Sequence, residues 1–587
     1  MRWLKRNTNL IGETRAANER DSLWRLNVLA VFFGLVIFII LARLFYLQVL
    51  SGQFYGALSA GQHDLYQELF PVRGEIYVGE MKSESIYPIA ANRDYTFVYA
   101  EPVNIKEKEK AAKKLAEILA LDEQELMAKF SRAKDFYEPV KHEVPDELAA
   151  KIKSENLDGI KFSKEVKRYY PEKDFGGQLT GFLGYSGNDR AGLYGLEGYF
   201  EKELRGDPGF IEATKDALGA LIPTTRTLFE RAKDGDDLVL TVDRNIQAFV
   251  CDAVRRAVKK YDAESGMSLV LNPENGEIWA VCSWPDFDPN EYGKVKNINI
   301  FNNQAVIGAY EPGSVFKPVT MSIALEEGKV SPESTYLDEG VVRVGEFTIR
   351  NSDGKKNGIQ TMTQILEKSL NTGAVYAVKK IGSERFAEYV KNLGFGKVTG
   401  AELWGEVTGD ISQLDKKNEI YSDTASFGQG ITVTPVQLTA AFAAIGNGGF
   451  LVKPHLIKEY RHADGTVTKE NPKPIRQVFS GKTSKLIGAM LVSVVKNGHG
   501  KLAGVPGYLV GGKTGTAQIP RKDGKGYEEG ANIGTFVGFA PADSPKFVIM
   551  TRFVRPNNVE WAESSAAPVF GEIARFLFNY LEIPPEK

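Results

Sequence analysis

The chain has 587 residues, enough for more than one domain, and its 43% hydrophobic and 25% charged residues are ordinary globular values. The formal net charge of −2 argues against a nucleic-acid partner, which usually requires a basic surface. Cys251 and Cys282 are the only cysteines, so the chain has neither a disulfide framework nor a cysteine metal site. One disulfide between these two cysteines is an alternative, but we expect both to be small buried apolar residues.

The first element along the chain is an apolar run, residues 26–42, in which only Asn27 is polar. With the apolar residues that follow Arg43, the run is long enough to cross a bilayer as one helix, which we place at residues 26–48. Six arginines and lysines precede it, so the positive-inside rule puts residues 1–25 in the cytoplasm and everything after the helix outside. The alternatives are a buried core helix and a cleaved signal peptide, although no small-residue cleavage site closes the run.

Residues 49–235 are predicted to form a mixed α/β region of their own. Residues 92–101 alternate like a strand, and residues 105–120 carry apolar residues at helical spacing among lysines and glutamates. The glycine-dense segment 181–209 lacks the spacing of a phosphate-binding loop and is predicted to consist of turns. A polar turn followed by an alternating strand marks the boundary with a second domain, residues 236–587.

The second domain is predicted to have strands at both ends and helices between them. This arrangement favours one antiparallel sheet covered by helices, so the predicted fold class is α+β. The predicted strands are 267–271, 277–281, 511–519, 534–540 and 546–554, and the predicted helices are 315–328, 360–380, 384–393, 435–447, 482–496 and 568–581.

Three short motifs follow one another in the second domain: Ser314-Val-Phe-Lys317, Ser369-Leu-Asn371 and Lys513-Thr514-Gly515-Thr516. Together they form the signature of serine acyl-transfer enzymes that act on penicillin-like amides. The first two patterns also occur elsewhere in the chain and are weak alone, whereas Lys-Thr-Gly occurs only once. The other serines in a Ser-x-x-Lys pattern are Ser131, Ser352 and Ser493.

The first motif has the chemistry of an activated serine. Pro312-Gly313 breaks the chain before Ser314, so Ser314 should open a helix, with Lys317 three positions on and on the same side. A lysine with its ordinary pKa of about 10.4 is a poor base at neutral pH. Lys317 must therefore be buried or lie beside another positive charge, for which Lys513 is the candidate. All five histidines lie outside the motifs, so a Ser-His-Asp triad is not indicated.

The other two motifs supply groups that relay a proton or bind a substrate. The Ser369 hydroxyl can pass a proton to a leaving amine, and the Asn371 carboxamide can hold a substrate peptide group. Lys513 and its neighbouring threonines suit a carboxylate, and Gly515 lets a ligand approach the backbone closely. The sequence predicts no metal site and no cofactor.

With these motifs the chain resembles the class B penicillin-binding proteins, monofunctional D,D-transpeptidases of peptidoglycan synthesis. The resemblance covers nearly the whole chain and includes Arg73-Gly-Glu-Ile76, Gly195-Leu-Glu-Gly198 and the segments 310–317 and 426–437. The last segment is more similar to the septal, cell-division branch than to the elongation branch. The resemblance implies a single-pass protein of the cytoplasmic membrane. Outside the membrane it implies a non-catalytic pedestal or dimerisation-like domain, residues 49–235, and then a transpeptidase domain, residues 236–587.

The resemblance also implies a role for each motif residue. Ser314 attacks the penultimate D-Ala carbonyl of a stem pentapeptide, Lys317 is the general base, and Ser369 passes the proton on. Asn371 positions the donor peptide, and an amine from a neighbouring stem peptide resolves the acyl-enzyme. The backbone N–H groups of Ser314 and Thr516 form the oxyanion hole. The terminal carboxylate is bound by Lys513, Thr514 and Thr516, with Gly515 between the threonines.

The implied partners are nascent peptidoglycan strands, β-lactams as inhibitors, and a SEDS-type lipid II polymerase with other divisome membrane proteins. Several alternatives stay open. A D,D-carboxypeptidase would pass the acyl group to water. A β-lactamase would also need to activate water, but the pattern Glu367-x-x-Leu-Asn371 overlaps the Ser-Leu-Asn motif and is not a separate site. A β-lactam sensor would carry several membrane spans, and a catalytically silent scaffold would not need all three motifs.

Overall fold

The computed structural model describes residues 32, 34–41, 64–69, 71–132, 136–187, 189–214, 228–521 and 526–586. The predicted cytoplasmic tail, residues 1–25, and most of the predicted anchor, residues 26–48, lie outside the described residues. Within the anchor, residues 32 and 34–41 are helical and carry exposed apolar side chains such as Leu35 and Phe38. In the part of the chain that the structure describes, no helix is both long and apolar enough to cross a membrane.

Strands and helices are numbered along the chain. The strands are β1 (Asp64–Leu69), β2 (Ile76–Glu80), β3 (Ser83–Ala100), β4 (Glu138–Val144), β5 (Ile160–Tyr169), β6 (Phe182–Ser186), β7 (Asp189–Leu193), β8 (Gly209–Thr214), β9 (Leu228–Glu230), β10 (Asp237–Asp243), β11 (Ser265–Leu271), β12 (Ile278–Trp284), β13 (Thr335–Asp338), β14 (Val341–Val344), β15 (Phe347–Arg350), β16 (Gly358–Thr361), β17 (Phe450–Leu451), β18 (Ile457–Arg461), β19 (Val467–Lys469), β20 (Arg476–Gln477), β21 (Gly511–Pro520), β22 (Tyr527–Ala540) and β23 (Phe547–Val554).

The α-helices complete the set of regular elements. They are α1 (Lys108–Leu119), α2 (Glu123–Phe130), α3 (Asp146–Ser154), α4 (Gly177–Thr180), α5 (Gly195–Tyr199), α6 (Glu201–Arg205), α7 (Arg244–Tyr261), α8 (Gln304–Ile307), α9 (Lys317–Glu326), α10 (Met362–Glu367), α11 (Asn371–Ile381), α12 (Ser383–Asn392), α13 (Glu419–Ala425), α14 (Pro435–Gly446), α15 (Gly481–Asn497) and α16 (Ala566–Tyr580).

The chain divides into two compact units. One comprises Met1–Pro71 and Asp207–Lys233, and it contains a three-stranded antiparallel sheet in the order β1-β8-β9. The other comprises Val72–Gly206 and Asp234–Lys587 and contains all three sequence motifs.

A mixed sheet in the second unit joins strands from both sides of residue 235. Its order is β19-β18-β10-β2-β3-β4, with β5 also paired to β3. Strand β10 pairs in parallel with β2 and antiparallel with β18. Gly74 is required at this junction, because a Cβ there would lie 2.0 Å from the Asp236 carbonyl oxygen. Residues before and after the predicted domain boundary are therefore hydrogen-bonded in one sheet.

The predicted elements of residues 49–235 are partly confirmed. The strand predicted at 92–101 forms the second half of β3, which ends at Ala100. The helix predicted at 105–120 forms as α1, which begins at Lys108 and buries its apolar stripe. The prediction of turns at 181–209 is wrong, because this segment forms β6, β7, α5, α6 and the start of β8. Buried side chains such as Phe182 and Leu196 anchor it in the core, which the glycine content alone did not indicate.

The same segment carries a buried ion-pair cluster that joins two motifs of the resemblance. Glu197, fully buried, lies 2.6 Å from a guanidinium nitrogen of Arg73 and 2.6 Å from one of Arg168. Burial alone would raise the pKa of Glu197, but the two guanidinium groups outweigh it and lower the pKa. The buried ion pair between Arg73 and Glu197 therefore links the segment Arg73-Gly-Glu-Ile76 to the segment Gly195-Leu-Glu-Gly198.

The sheet beneath the motifs has the order β12-β11-β23-β22-β21 and is antiparallel throughout. Strands from both ends of the domain meet where Leu269 of β11 lies opposite Met550 of β23. Successive residues of β23 face opposite sides: Phe547 packs in a cluster with α7 and α16, and Val548 in the cluster that contains α14. The predicted antiparallel sheet covered by helices is confirmed.

Our expectation for the two cysteines is wrong. Both are buried, but they form a disulfide between Cys251 on α7 and Cys282 on β12, with Cα atoms 5.3 Å apart. The helix packs directly on this strand, which brings residues 31 positions apart within bonding distance. Sequence spacing alone does not reveal such a tertiary contact.

We expect the double substitution Cys251→Ala/Cys282→Ala to lower the free energy of unfolding by about 3–4 kcal/mol, since the disulfide closes a loop of 31 residues. Urea denaturation of the purified protein measures this loss. Wild-type protein kept in a reducing agent should have the same free energy of unfolding as the double variant. Equal stability of oxidised wild type and variant would contradict a stabilising role for the disulfide.

Candidate active site

The Ser314 turn begins a helix, as predicted. Gly313–Phe316 form a 3-10 turn that leads directly into α9 at Lys317, and Pro318 lies in the first turn of that helix. Gly313 has φ +59°, a conformation that favours glycine, and its N–H donates to the Gly428 carbonyl at 3.0 Å. Ser314 is only half-buried, whereas Gly313, Val315 and Phe316 of the same turn are buried.

Lys317 is buried beneath the serine. Its side chain is 1% exposed, and Nζ lies 3.0 Å from Ser314 Oγ. The same nitrogen donates to the Ser369 carbonyl oxygen at 2.5 Å and lies 3.2 Å from Ser369 Oγ. Lys317 therefore contacts both serines of the first two motifs.

Ser369 lies between two helices rather than within one. The predicted helix 360–380 is wrong at this point, because α10 ends at Glu367 and α11 begins at Asn371. Ser369 has φ +56°, a left-handed conformation that costs free energy in a residue with a side chain. This break points its carbonyl and its hydroxyl at the lysines. Local propensity favoured continued helix, and the tertiary contacts override it.

Lys513 reaches the same serine from the sheet. It lies on β21, the edge strand, is fully buried, and places Nζ 3.0 Å from Ser369 Oγ. Two residues on, a Cβ at Gly515 would approach the Pro312 carbonyl to 3.1 Å and Val315 Cγ1 to 2.9 Å. Glycine at 515 thus allows the edge strand to lie against the Ser314 turn.

The two lysines share one buried environment. Burial and the charge of Lys513 together lower the pKa of Lys317 well below its ordinary value. Burial also lowers the pKa of Lys513 to about 7, and the Glu563 carboxylate opposes this shift. At neutral pH the arrangement favours a neutral Lys317 beside Lys513. This is the electrostatic condition that the sequence required of a lysine base.

The pH dependence of acylation follows from Lys513. With a pKa of about 7, its charge is present below that pH and is lost above it, so binding of an anionic penicillin should weaken. We expect the second-order acylation rate of the free enzyme to decline with a single-proton slope above about pH 7. Stopped-flow labelling from pH 5 to 10 measures this. In Lys513→Arg, which stays charged, the decline should disappear even if the overall rate is lower; an unchanged decline would contradict the assignment.

Asn371, Thr514 and Thr516 lie around this cluster and already have protein partners. Asn371 begins α11, and its Nδ2 donates to the Arg350 carbonyl at 2.9 Å. Thr514 accepts from Lys513 Nζ through its carbonyl at 3.0 Å, and Thr516 Oγ1 accepts from the Ala562 N–H at 3.1 Å. The structure thus brings Ser314, Lys317, Ser369 and Lys513 into one hydrogen-bonded cluster, with the other motif residues on adjoining positions.

Three contacts around the Ser314 turn were not predicted. The Gly430 N–H donates to Glu311 Oε1 at 2.9 Å, and the Tyr527 hydroxyl donates to Glu311 Oε2 at 2.9 Å. Gly428 approaches the turn so closely that a Cβ there would lie 2.2 Å from the Gly313 carbonyl oxygen. In the sequence, only the segment 426–437 of the resemblance pointed to Gly428 and Gly430, and no pattern pointed to Tyr527.

Glu367, which we weighed as part of a hydrolase pattern, has a different partner. Its carboxylate accepts from the Ser493 hydroxyl on α15 at 2.5 Å. Ser493 is one of the other Ser-x-x-Lys serines, and this bond gives it a structural role.

Comparison with known proteins identifies the family of the chain. The family model "Penicillin binding protein transpeptidase domain" matches residues 266–575, and "Penicillin-binding Protein dimerisation domain" matches residues 69–240. Stage V sporulation protein D of Bacillus subtilis is 35% identical over 562 residues, which cover 94% of this chain and 85% of that protein. A peptidoglycan D,D-transpeptidase FtsI homolog of Mesostigma viride is 29% identical over 582 residues, covering 93% and 94%.

A solved structure is similar over most of the chain. Penicillin-binding protein 3 of Mycobacterium tuberculosis, in complex with aztreonam, has a TM-score of 0.68 and 26% identity, covering 89% of this chain and 98% of that one. The transpeptidase model alone spans more than half of the sequence. The chain therefore belongs to the class B penicillin-binding proteins and is a serine-type D-Ala-D-Ala transpeptidase of peptidoglycan synthesis.

Proposed function

We propose that Ser314 forms the acyl-enzyme in the crosslinking of peptidoglycan stem peptides. Neutral Lys317 takes the Ser314 proton as Oγ attacks the penultimate D-Ala carbonyl carbon. The peptide C–N bond then breaks, and D-Ala leaves with a proton passed through Ser369. The observation that carries this proposal is the contact of Lys317 Nζ with both serine hydroxyls, at 3.0 and 3.2 Å.

The donor peptide would lie between β21 and α11. Lys513, Thr514 and Thr516 supply a cation and hydroxyls for its terminal carboxylate, and Gly515 leaves room beside the strand. The backbone N–H groups of Ser314 and Thr516 would stabilise the developing oxyanion, each worth about 3–4 kcal/mol in the transition state. The carboxamide of Asn371 would hold the peptide group of the donor.

The second half-reaction decides between a transpeptidase and a carboxypeptidase. In a transpeptidase, an amine of a neighbouring stem peptide attacks the Ser314 ester, forms the crosslinking amide and frees the serine. In a carboxypeptidase, water attacks the ester instead of the amine. We expect the full chain, given a stem-pentapeptide donor and an acceptor amine, to release D-Ala and form crosslinked dimer, resolved by mass spectrometry. Release of D-Ala without dimer would favour the carboxypeptidase.

We further propose that residues 26–48 anchor the chain in the cytoplasmic membrane, with residues 1–25 inside and the catalytic domain outside. The apolar run and the preceding basic residues support this orientation. Cysteine substitutions near residues 10 and 60, probed with a membrane-impermeant thiol reagent on intact cells, test it. Labelling near residue 60 alone is expected, and labelling near residue 10 would contradict the orientation.

The septal, cell-division branch is our proposed cellular role, on the basis of the segment 426–437. Residues 49–235 would act as a non-catalytic pedestal that binds partners such as a SEDS-type lipid II polymerase and other divisome membrane proteins. A sporulation role is the second candidate, because a relative at 35% identity is named stage V sporulation protein D. A fluorescent fusion of this chain that lies at division sites of growing cells supports the septal role. A fusion that is seen only during sporulation supports the sporulation role.

A further inference from the structure

A buried carboxylate lies behind the Ser-Leu-Asn motif. Asp338, the last residue of β13, is 1% exposed, and its hydrogen-bond donors among the described residues carry no formal charge. Burial alone would raise its pKa, but these donors outweigh burial and lower it. The donors are the Gly340 N–H (2.9 Å), Asn351 Nδ2 (3.0 and 2.9 Å), the Asn357 N–H (3.2 Å), Asn357 Nδ2 (2.7 Å) and Thr372 Oγ1 (2.7 Å).

Asn351 connects this carboxylate to the start of α11. Its Nδ2 donates to both oxygens of Asp338, and its Oδ1 accepts from the Thr372 N–H at 3.2 Å. The residue that precedes α11, Leu370, offers no side-chain cap. Asn351 therefore supplies the acceptor that a helix N-terminus needs, from a position 21 residues earlier in the chain.

The connection continues to Asn371. Thr372 Oγ1 donates to Asp338, while its neighbour Asn371 donates Nδ2 to the carbonyl of Arg350, the residue before Asn351. Two consecutive residues of α11 are thus bonded to Arg350, the last residue of β15, and to Asn351, which follows it. Within the described part of the chain, the Asn371 amide oxygen has no hydrogen-bond partner and stays available to a ligand.

We propose that Asp338 is a positioning residue that acts through Asn351 and Thr372 to orient the Asn371 carboxamide. This inference rests on the proposed function, in which Asn371 holds the peptide group of the donor. The corresponding group of a penicillin is its acylamido side chain. In Asp338→Asn an NH2 group replaces one of the two acceptor oxygens and faces N–H or O–H donors, so the bonds that hold Asn351 and Thr372 are disrupted. Asn371 then keeps its carboxamide but loses the orientation that this network gives it. The expected effect is therefore on selectivity for substrates that carry this amide.

Two penicillins separate orientation from general damage. Benzylpenicillin carries the acylamido group, whereas 6-aminopenicillanic acid has a free amine in its place. In the full chain, Asp338→Asn should lower the acylation rate by benzylpenicillin about tenfold more than the rate by 6-aminopenicillanic acid. In an Asn371→Ala background, Asp338→Asn should not change the ratio of the benzylpenicillin rate to the 6-aminopenicillanic acid rate any further. The contact between the Asn371 carboxamide and the acylamido group is already lost in that background.

The matched control is Asp243→Asn. Asp243 is 2% exposed, caps α7 and also accepts from the Met81 N–H and the Tyr580 hydroxyl, but it belongs to another network. Its substitution should leave the ratio unchanged. If Asp338→Asn does not fold, Thr372→Val removes the hydroxyl at nearly constant volume and should lower the ratio of the benzylpenicillin rate to the 6-aminopenicillanic acid rate. Thr372→Ser keeps the hydroxyl and should keep this ratio near the wild-type value.

The inference fails if Asp338→Asn or Thr372→Val slows both penicillins equally, or if the effects of Asp338→Asn and Asn371→Ala on the ratio are additive. A wild-type chain that forms no Ser314 adduct with either penicillin would instead overturn the proposed function itself. The two failures are therefore distinct.

Discussion

We expect the replacement of Ser314 by alanine to abolish crosslinking and β-lactam acylation. The hydroxyl is the acyl acceptor in our account, and loss of a serine nucleophile costs on the order of 10⁶-fold in kcat in enzymes of this chemical type. Released D-Ala and crosslinked dimer, measured by mass spectrometry with the full chain, should both fall to background. Because Ser314 is half-buried on a fixed turn, the melting temperature should change little.

Two other Ser-x-x-Lys serines provide matched controls. Ser131 donates to the Met127 carbonyl at the end of α2, and Ser493 donates to Glu367. Ser131→Ala and Ser493→Ala should keep crosslinking activity near that of the wild type. Activity retained in Ser314→Ala, or lost in either control, would remove Ser314 from its proposed role.

Replacing Lys317 by methionine should lower the acylation rate by about 10²–10⁴-fold, the usual contribution of a positioned general base. Its nitrogen lies 3.0 Å from Ser314 Oγ, and burial together with the Lys513 charge lowers its pKa, which favours the role of base that we propose for it. Second-order rates with a labelled penicillin measure the effect. Methionine suits the buried site, so the melting temperature reports whether the fold is kept.

Lys317→Arg separates a base from a fixed positive charge. Arginine keeps the charge but does not lose its proton in proteins, so this variant should be as slow as Lys317→Met. Wild-type acylation should rise with pH on the acid side, as Lys317 loses its proton at a pKa below the ordinary value. Substantial activity in Lys317→Arg would indicate that charge at this position, rather than proton transfer, supports the reaction.

The residues that form the site were largely predictable because each motif is local. Pro312-Gly313 before Ser314 indicated the helix start, and the structure confirms it. The required pKa shift of Lys317 indicated either burial or a neighbouring positive charge, and the structure shows both. The antiparallel sheet followed from strands at both ends of one region, and β11 does pair with β23. Such features depend on neighbouring residues or on general rules of topology.

The features that sequence missed depend on contacts between distant residues. The continuous helix predicted through Ser369 fails because buried lysines from α9 and β21 bind that residue in a left-handed conformation. The disulfide requires knowing that α7 packs on β12. Asp338 contacts Thr372 across 34 positions, and no local pattern marks either residue. In each case the tertiary environment determines the outcome.

The most direct test of the Ser314 acyl-enzyme is intact-mass analysis of the full chain treated with benzylpenicillin, followed by peptide mapping. Opening of the β-lactam ring adds the whole inhibitor without a leaving group. Our account predicts a single adduct with the full mass of the penicillin, on the peptide that contains Ser314. An adduct on any other residue, or no covalent adduct at all, would contradict it.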